Sequence, residues 1–184
     1  YKICKRMGIK DYRVIRINSV VNAKKEAIFK NEAIKPLTEE NIQAETRGMI
    51  LSSIANEYRA FFTCNGNKNE MFMGYATLNG DLRGAICPIA DLVKREVYAM
   101  GKYLNKEIFK KKVIPENMFP NKNYQFVGKN KILPSAELKN DQVDPIKIGY
   151  HCALIEKIMD YKKYGPNQIM KWWLDGEIHK KLGI

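Results

Sequence analysis

Long apolar runs are missing from this chain. None approaches the roughly 18 residues that a membrane-spanning helix requires, so the chain should not cross a bilayer as a helix. Histidine occurs only twice, and the four cysteines, Cys4, Cys64, Cys87 and Cys152, form no Cys-x-x-Cys pair. That spacing indicates neither a zinc site nor a disulfide framework and fits reduced thiols in a cytoplasm. It also weakens the case for a cysteine nucleophile. Cys64 lies beside a polar loop, but no motif places His151 or His179 near it, and a small residue ending a strand is the plainer reading. No internal repeat, no signal peptide and no low-complexity tract beyond lysine enrichment is recognisable. The opening stretch from Tyr1 to Gly8 is amphipathic, starts without Met, and reads as the end of a helix that begins upstream.

Charge of one sign is abundant: 32 Lys and Arg against 20 Asp and Glu give a net charge of +12. Such a balance can serve nucleic-acid binding by releasing counterions from phosphates. Here the basic residues are spread along the chain, with short clusters at Lys110-Lys111-Lys112 and Lys180-Lys181 and no basic helix with interleaved aromatics. A solvated lysine-rich surface, with a polyanionic small ligand as a contributing cause, accounts for them better than a nucleic acid. With 45% hydrophobic residues, the 184 residues suffice for a single domain, 1–184, and fall short of two.

Periodicity predicts alternating helices and strands. Gly8 should close the first helix, Tyr12 to Ile17 alternates as a strand, and Val20 to Asn31 is expected to be helical. Pro36 then stops the chain, Thr38 is a candidate N-cap, and Ile42, Thr46, Met49, Ile50, Ile54 and Tyr58 recur at helical spacing over Glu39 to Arg59. That helix should feed a strand, Ala60 to Cys64. Beyond it, Asp91 is expected to cap a helix from Leu92 to about Leu104, and Lys106 to Lys131 reads as a long surface segment, mobile or ordered by a ligand. Two closing helices are expected at about His151–Tyr164 and Pro166–Leu182.

The chemistry-bearing stretch is the turn after Ala60-Phe61-Phe62. Asn65-Gly66-Asn67 can offer backbone N–H groups to phosphate, while Lys68, Glu70 and Asp81 supply a cation and two carboxylates able to bind a metal. A polar strand-to-helix turn explains the same residues without a ligand. The order strand, helix, helix, strand, loop, helix favours a parallel α/β sheet with its ligand beyond the carboxyl ends of the strands. The residues alone lead as far as a nucleotide or phosphate-ligand domain.

Six blocks in order carry a resemblance: Asn41-Ile42-Gln43-Ala44, Arg47-Gly48-Met49, Gly66-Asn67-Lys68-x-Glu70, Gly74-Tyr75-Ala76-Thr77-Leu78-x-Gly80-Asp81, Pro88-Ile89-x-Asp91-Leu92-x-Lys94 and Pro134-Ser135-Ala136-Glu137-Leu138-x-x-Asp141-Gln142. Together they resemble the carboxyl-terminal part of the synthetase domain of NAD synthetases, the glutamine-dependent branch in particular, within the N-type ATP pyrophosphatases. The resemblance implies a Rossmann-like parallel sheet with flanking helices, adenine nucleotide α-hydrolase-like and incomplete at its amino terminus. It implies a ligase that makes NAD+: the carboxylate of deamido-NAD is adenylated by ATP with Mg2+, and ammonia, from glutamine in the full-length enzyme, displaces AMP. By position, Asn65, Lys94 and Ser135 would contact ATP, Asn41 and Glu70 would contact deamido-NAD, and Glu70 would bind Mg2+ or lie beside it. Asp81 and Lys68 are weaker candidates for the same pocket. The resemblance further implies a cytoplasmic homodimer with deamido-NAD near the interface.

The chain departs from the family pattern at three places. Asn65 stands where many relatives have Thr, Asn79 where they have Tyr, and Glu45 where they commonly have Arg, so Glu45 is expected to repel the dinucleotide's phosphates. The Ser-Gly-Gly-x-Asp-Ser phosphate loop, the glutaminase domain and a basic carboxyl-terminal tail do not occur in it. This chain alone is accordingly expected to be inactive. Two other readings stay open: a different ATP-pyrophosphatase ligase such as a GMP synthetase, and a non-catalytic nucleotide- or RNA-binding module.

Overall fold

A computed structural model describes residues 2–30, 32–133, 143–159 and 163–184. Helix α1 (Lys2–Met7) ends at Gly8, whose φ of +74° suits a residue without a Cβ. Helix α2 (Asn18–Phe29) packs on α3 (Pro36–Glu57), and two ion pairs reinforce the contact: Lys25 to Glu39 at 2.6 Å and Lys24 to Glu45. Helix α3 starts earlier than Thr38. Pro36 occupies its first turn behind an extended Lys35, because proline's fixed φ fits the helix and its missing N–H is not needed there.

The face that α3 buries also differs from the periodic expectation. Ile42, Ala44, Thr46 and Gly48 are buried, whereas Met49 and Tyr58 are exposed. The helix is gripped on two sides, by α2 and by the loop after Gly74, so its buried positions do not fall on one stripe. A Cβ on Gly48 would lie 2.7 Å from the Asn79 carbonyl oxygen, and one on Gly80 would lie 2.7 Å from the Ala44 Cβ. Only glycines allow this approach.

The expected parallel sheet is reduced to a single parallel bridge, Thr63 to Ile86, among the described residues. Cys64 N–H donates to the Ile86 carbonyl at 2.8 Å and Ala85 N–H to the Phe62 carbonyl at 3.0 Å. Residues 9–17 have no regular structure despite their alternation. A strand is stabilised by its neighbours in the ladder rather than by its own pattern, and no ladder forms along this segment among the described residues.

Helix α4 (Lys68–Met73) follows the bridge, and α5 (Lys94–Tyr103) follows the loop beyond it. The start of α5 is not capped by Asp91. Val93 is the cap position, and the Glu96 carboxylate accepts from its N–H at 2.8 Å. The π-helical turn Leu104–Ile108 and the 3-10 turn Glu116–Met118 show the Lys106–Lys131 region organised in part by its own contacts, where it was expected to be mobile or ordered by a ligand. Val113 is fully buried, and Phe119 stacks edge-on against Tyr98 at 6.5 Å. Helix α6 (Ile148–Met159) packs on α4 and α5, and Val93, Ile148, Cys152 and Ile155 form the central apolar cluster under Tyr98 and Phe126. The last expected helix is two, α7 (Pro166–Leu174) and α8 (Ile178–Leu182), divided where Gly176 takes a φ of +67°. No helix among the described residues is long and apolar enough to cross a membrane.

Candidate functional site

The Asn65–Glu70 turn is built by a reciprocal cap. The Asn67 side-chain oxygen accepts from the N–H groups of Asn69 at 3.0 Å and Glu70 at 3.4 Å, and Glu70 Oε2 accepts from Asn67 N–H at 2.8 Å. This capping box fixes one edge of the Glu70 carboxylate and leaves Oε1 for other partners. The next residue but one links α4 to α5. Asn69 is fully buried, and its Oδ1 accepts from Lys94 N–H at 2.7 Å and from the Cys152 thiol at 3.5 Å. Asn69 thereby sets the first turn of α5, and Lys94 with it, directly behind Glu70.

The Lys94 ammonium lies 3.2 Å from Glu70 Oε1 and 2.7 Å from Asp144 Oδ2. Its side chain is only 9% exposed, Asp144 is 10% and Glu70 20%. Burial alone would lower the Lys94 pKa, but the hydrogen bond and charge of Asp144, followed by those of Glu70, outweigh it and raise the value above the ordinary lysine range. Lys94 is thus held as a cation.

Glu70 and Asp144 face an open cleft of about 450 Å3, and Asn41, Arg47, Asn65 and Asp81 line it too. The Thr77 hydroxyl donates to Asn41 Oδ1 at 2.8 Å, leaving the Asn41 amide as a donor for a ligand. Asn65 is exposed, with its Oδ1 accepting from the Thr63 hydroxyl at 3.0 Å. Asp81 Oδ1 accepts from Thr77 N–H at 2.9 Å and so shapes the loop that forms the wall.

The structure therefore brings Asn41, Asn65 and Glu70 to one cleft, with Lys94 behind its carboxylates and outside the lining. Ser135 and the block around it lie outside the described residues. Lys68 is not at this cleft: its ammonium pairs with Asp91 at 3.0 Å on another face. The expected repulsion from Glu45 also lacks a place, since its carboxylate accepts from Lys24 and does not line the cleft. Cys64 is buried, donates its thiol to the Asp81 carbonyl at 3.4 Å and has its pKa raised by burial, the behaviour of a core residue and not of a nucleophile. Sequence reasoning did not single out Asp144, which pairs with Lys94 and lines the cleft.

The donor set bears on a divalent metal. Among the described residues no group of three His, Cys, Asp or Glu could enclose one. Two convergent carboxylates nevertheless fit Mg2+, which usually takes one or two from the protein and completes its octahedron with waters and substrate phosphates.

A family model described as NAD synthase matches residues 1–181. The chain is 33% identical over 171 residues to a glutamine-dependent NAD(+) synthetase of Thermotoga maritima, covering 91% of this chain and 27% of that protein. It is 38% identical over 149 residues to the corresponding protein of Synechocystis, covering 79% of this chain and 24% of that one. It thus spans about a quarter of the length of these curated relatives. Among solved structures, the glutamine-dependent NAD+ synthetase of Acinetobacter baumannii in complex with ADP superposes with a TM-score of 0.60 at 26% identity, over 98% of this chain and 30% of that one. The NMN synthetase of Francisella tularensis gives 0.62 at 25% identity, over 96% and 66%. With nearly every residue inside the matched region, the chain belongs to the NAD synthase family.

Proposed function

We propose that the chain supplies the acceptor and metal-binding part of a synthetase domain that makes NAD+ from deamido-NAD, ATP and ammonia. The supporting observation is the Glu70–Asp144 carboxylate pair fixed on Lys94 at the wall of the cleft. In the reaction, an oxygen of the nicotinate carboxylate attacks the α-phosphorus of ATP and the bond to pyrophosphate breaks. Ammonia then attacks the acyl carbon, and the bond to AMP breaks. A carboxylate is a poor acyl donor until adenylated, and the crowded phosphate charge must be offset for attack to occur. Mg2+, when bound at Glu70 and Asp144, supplies that offset.

The chain's own residues position the reactants. Glu70 is held by the capping box on one oxygen and by Lys94 on the other, so its carboxylate is oriented before any ligand arrives. Lys94 contacts an ATP phosphate by exchanging its longer bond, to Glu70, for the phosphate oxygen while keeping Asp144. Asn65 donates its side-chain amide to ATP, and Asn41, steadied by Thr77, donates to deamido-NAD. That the Acinetobacter relative was solved in complex with ADP supports the use of an adenine nucleotide. Residues 1–184 act as one unit within the domain, in the cytoplasm, where the four free thiols remain reduced.

The test is AMP and NAD formation from ATP, deamido-NAD and ammonia, by this chain alone and by a protein that joins it to the Ser-Gly-Gly-x-Asp-Ser loop. Activity is expected only in the longer protein. Glu70→Gln keeps an acceptor for the Asn67 N–H but loses the charge, and should lower AMP formation by roughly 100-fold, in line with losing one electrostatic contact to the reacting phosphates. Unchanged activity in that variant would remove Glu70 from the site.

A homodimer is part of the same proposal. On α3, Met49 and Leu51 are 46% and 44% exposed. Sedimentation should show a dimer, and Met49→Lys with Leu51→Lys should shift it to monomer; a wild-type monomer at every concentration would count against the assembly.

A further inference from the structure

Lys94 opens α5, and eight residues later, about 12 Å along the helix, Lys102 begins a second charged feature. Five lysines, Lys102, Lys106, Lys110, Lys111 and Lys112, line a recess of about 400 Å3 that shares no lining residue with the cleft at Glu70. Two carboxylates answer them. Glu107 accepts from Lys106 and Lys110 at 3.1 Å each, and Glu116 lies 3.6 Å from Lys112. Lys102 stands over the Phe119 ring, 5.7 Å from its centroid, and neither it nor Lys111 pairs with a carboxylate among the described residues. Five positive charges against two negative leave three in excess within one recess.

The backbone beneath this cluster is pinned. Asn105, 8% exposed, donates Nδ2 to the Ile114 carbonyl at 2.8 Å and accepts from the Ile114 N–H at 2.9 Å. Lys111 N–H donates to the Asn105 carbonyl at 3.1 Å, and Val113 is fully buried. From α1, Arg6 donates to the carbonyls of Lys112 at 3.0 Å and Val113 at 3.1 Å. The lysines therefore project from a fixed turn, with their solvated ammonium groups gathered on one face.

We propose that the recess binds a compact polyanion carrying three or more closely spaced negative charges, of the polyphosphate class. A single-stranded nucleic acid is disfavoured, because the one aromatic ring in the recess is covered by Lys102 and engaged edge-on by Tyr98, leaving no face for base stacking. The site is independent of the ligase reading, since it uses none of the residues at the Glu70 cleft.

Calorimetric titration of the chain with inorganic tripolyphosphate tests it. Lys106→Gln with Lys111→Gln keeps the side-chain stems and should raise the Kd roughly tenfold, the scale of two lost charge contacts near a protein surface. Lys180→Gln with Lys181→Gln removes the same charge elsewhere and should leave the Kd unchanged. No binding, or equal weakening by both double variants, would overturn the site. Tighter binding of a single-stranded oligonucleotide at the same lysines would reassign it to nucleic acid. Melting curves of the two double variants should match that of the wild type, because the substituted side chains are solvent-facing.

Discussion

Lys94→Met should reduce AMP formation by two to three orders of magnitude in a protein that carries the phosphate loop, and it should also reshape the stability of this chain at high pH. The first effect follows from position. Without the ammonium, Glu70 Oε1 and Asp144 Oδ2 lose the group that fixes both, and two nearby carboxylates repel instead of converging. Removing a charged, preorganised contact at a phosphoryl centre typically costs about 10²- to 10³-fold. The second effect follows from linkage. The folded-state pKa of Lys94 lies above its unfolded value of about 10.4, so its contribution to stability is fully present below that pH and is lost as pH rises through the folded value. Denaturation measured from pH 8 to 11.5 should therefore show wild-type stability falling above about pH 10, with a shallower fall in Lys94→Met. At pH 8 the variant should be about 2 kcal/mol less stable, below the range for fully buried pairs because Glu70 remains partly solvated. A variant with normal AMP formation and an unchanged alkaline slope would show that Lys94 neither holds the carboxylates nor serves the site.

The parts of this site that were legible in the sequence are those whose physics is local. Asn67 and Glu70 stand three residues apart, the spacing of a capping box, and Gly74 sits where a helix of this length needs a left-handed end, so Asn65 to Gly74 could be read as a strand end, cap and helix. Asp144 could not be read, because its partner lies 50 residues away and an Asp before Pro145 looks like any turn. Lys68 misled for a related reason: it borders the loop in sequence, but α4 turns its side chain toward Asp91. Of the sheet, only the Thr63–Ile86 bridge is seen among the described residues, and the alternation of Tyr12 to Ile17 states which residues could share a face and nothing about whether another strand lies alongside. The division of the last helix was available in Asp175-Gly176, where the glycine adopts the left-handed conformation.

The other large effect is expected from one methyl group at Gly84. This glycine precedes Ile86 of the Thr63–Ile86 bridge, and a Cβ there would lie 2.2 Å from Cys64 N, 2.7 Å from the Thr63 carbonyl carbon and 2.9 Å from Cys64 Cα. All three are backbone atoms, so no side chain can rotate away and the two segments must separate. Separation breaks the bonds from Cys64 N–H to Ile86 and from Ala85 N–H to Phe62. Overpacking and two lost hydrogen bonds together amount to about 3 kcal/mol, a fall in Tm of about 6–12 °C for a chain of this size. Gly165→Ala supplies the contrast. Its φ of −73° is open to alanine and nothing lies within 4 Å of the added carbon, so stability should stay within about 0.5 kcal/mol of wild type or rise slightly. Since Cys64 leads directly into Asn65 and the Asn67 cap, Gly84→Ala should also displace the Glu70 carboxylate. Loss of AMP formation below the melting temperature of the variant, measured in the protein that carries the phosphate loop, would then report on the cleft, and not on unfolding. Equal melting temperatures for the two glycine variants would mean that the approach of Gly84 to the Thr63–Cys64 peptide does not hold this part of the fold together.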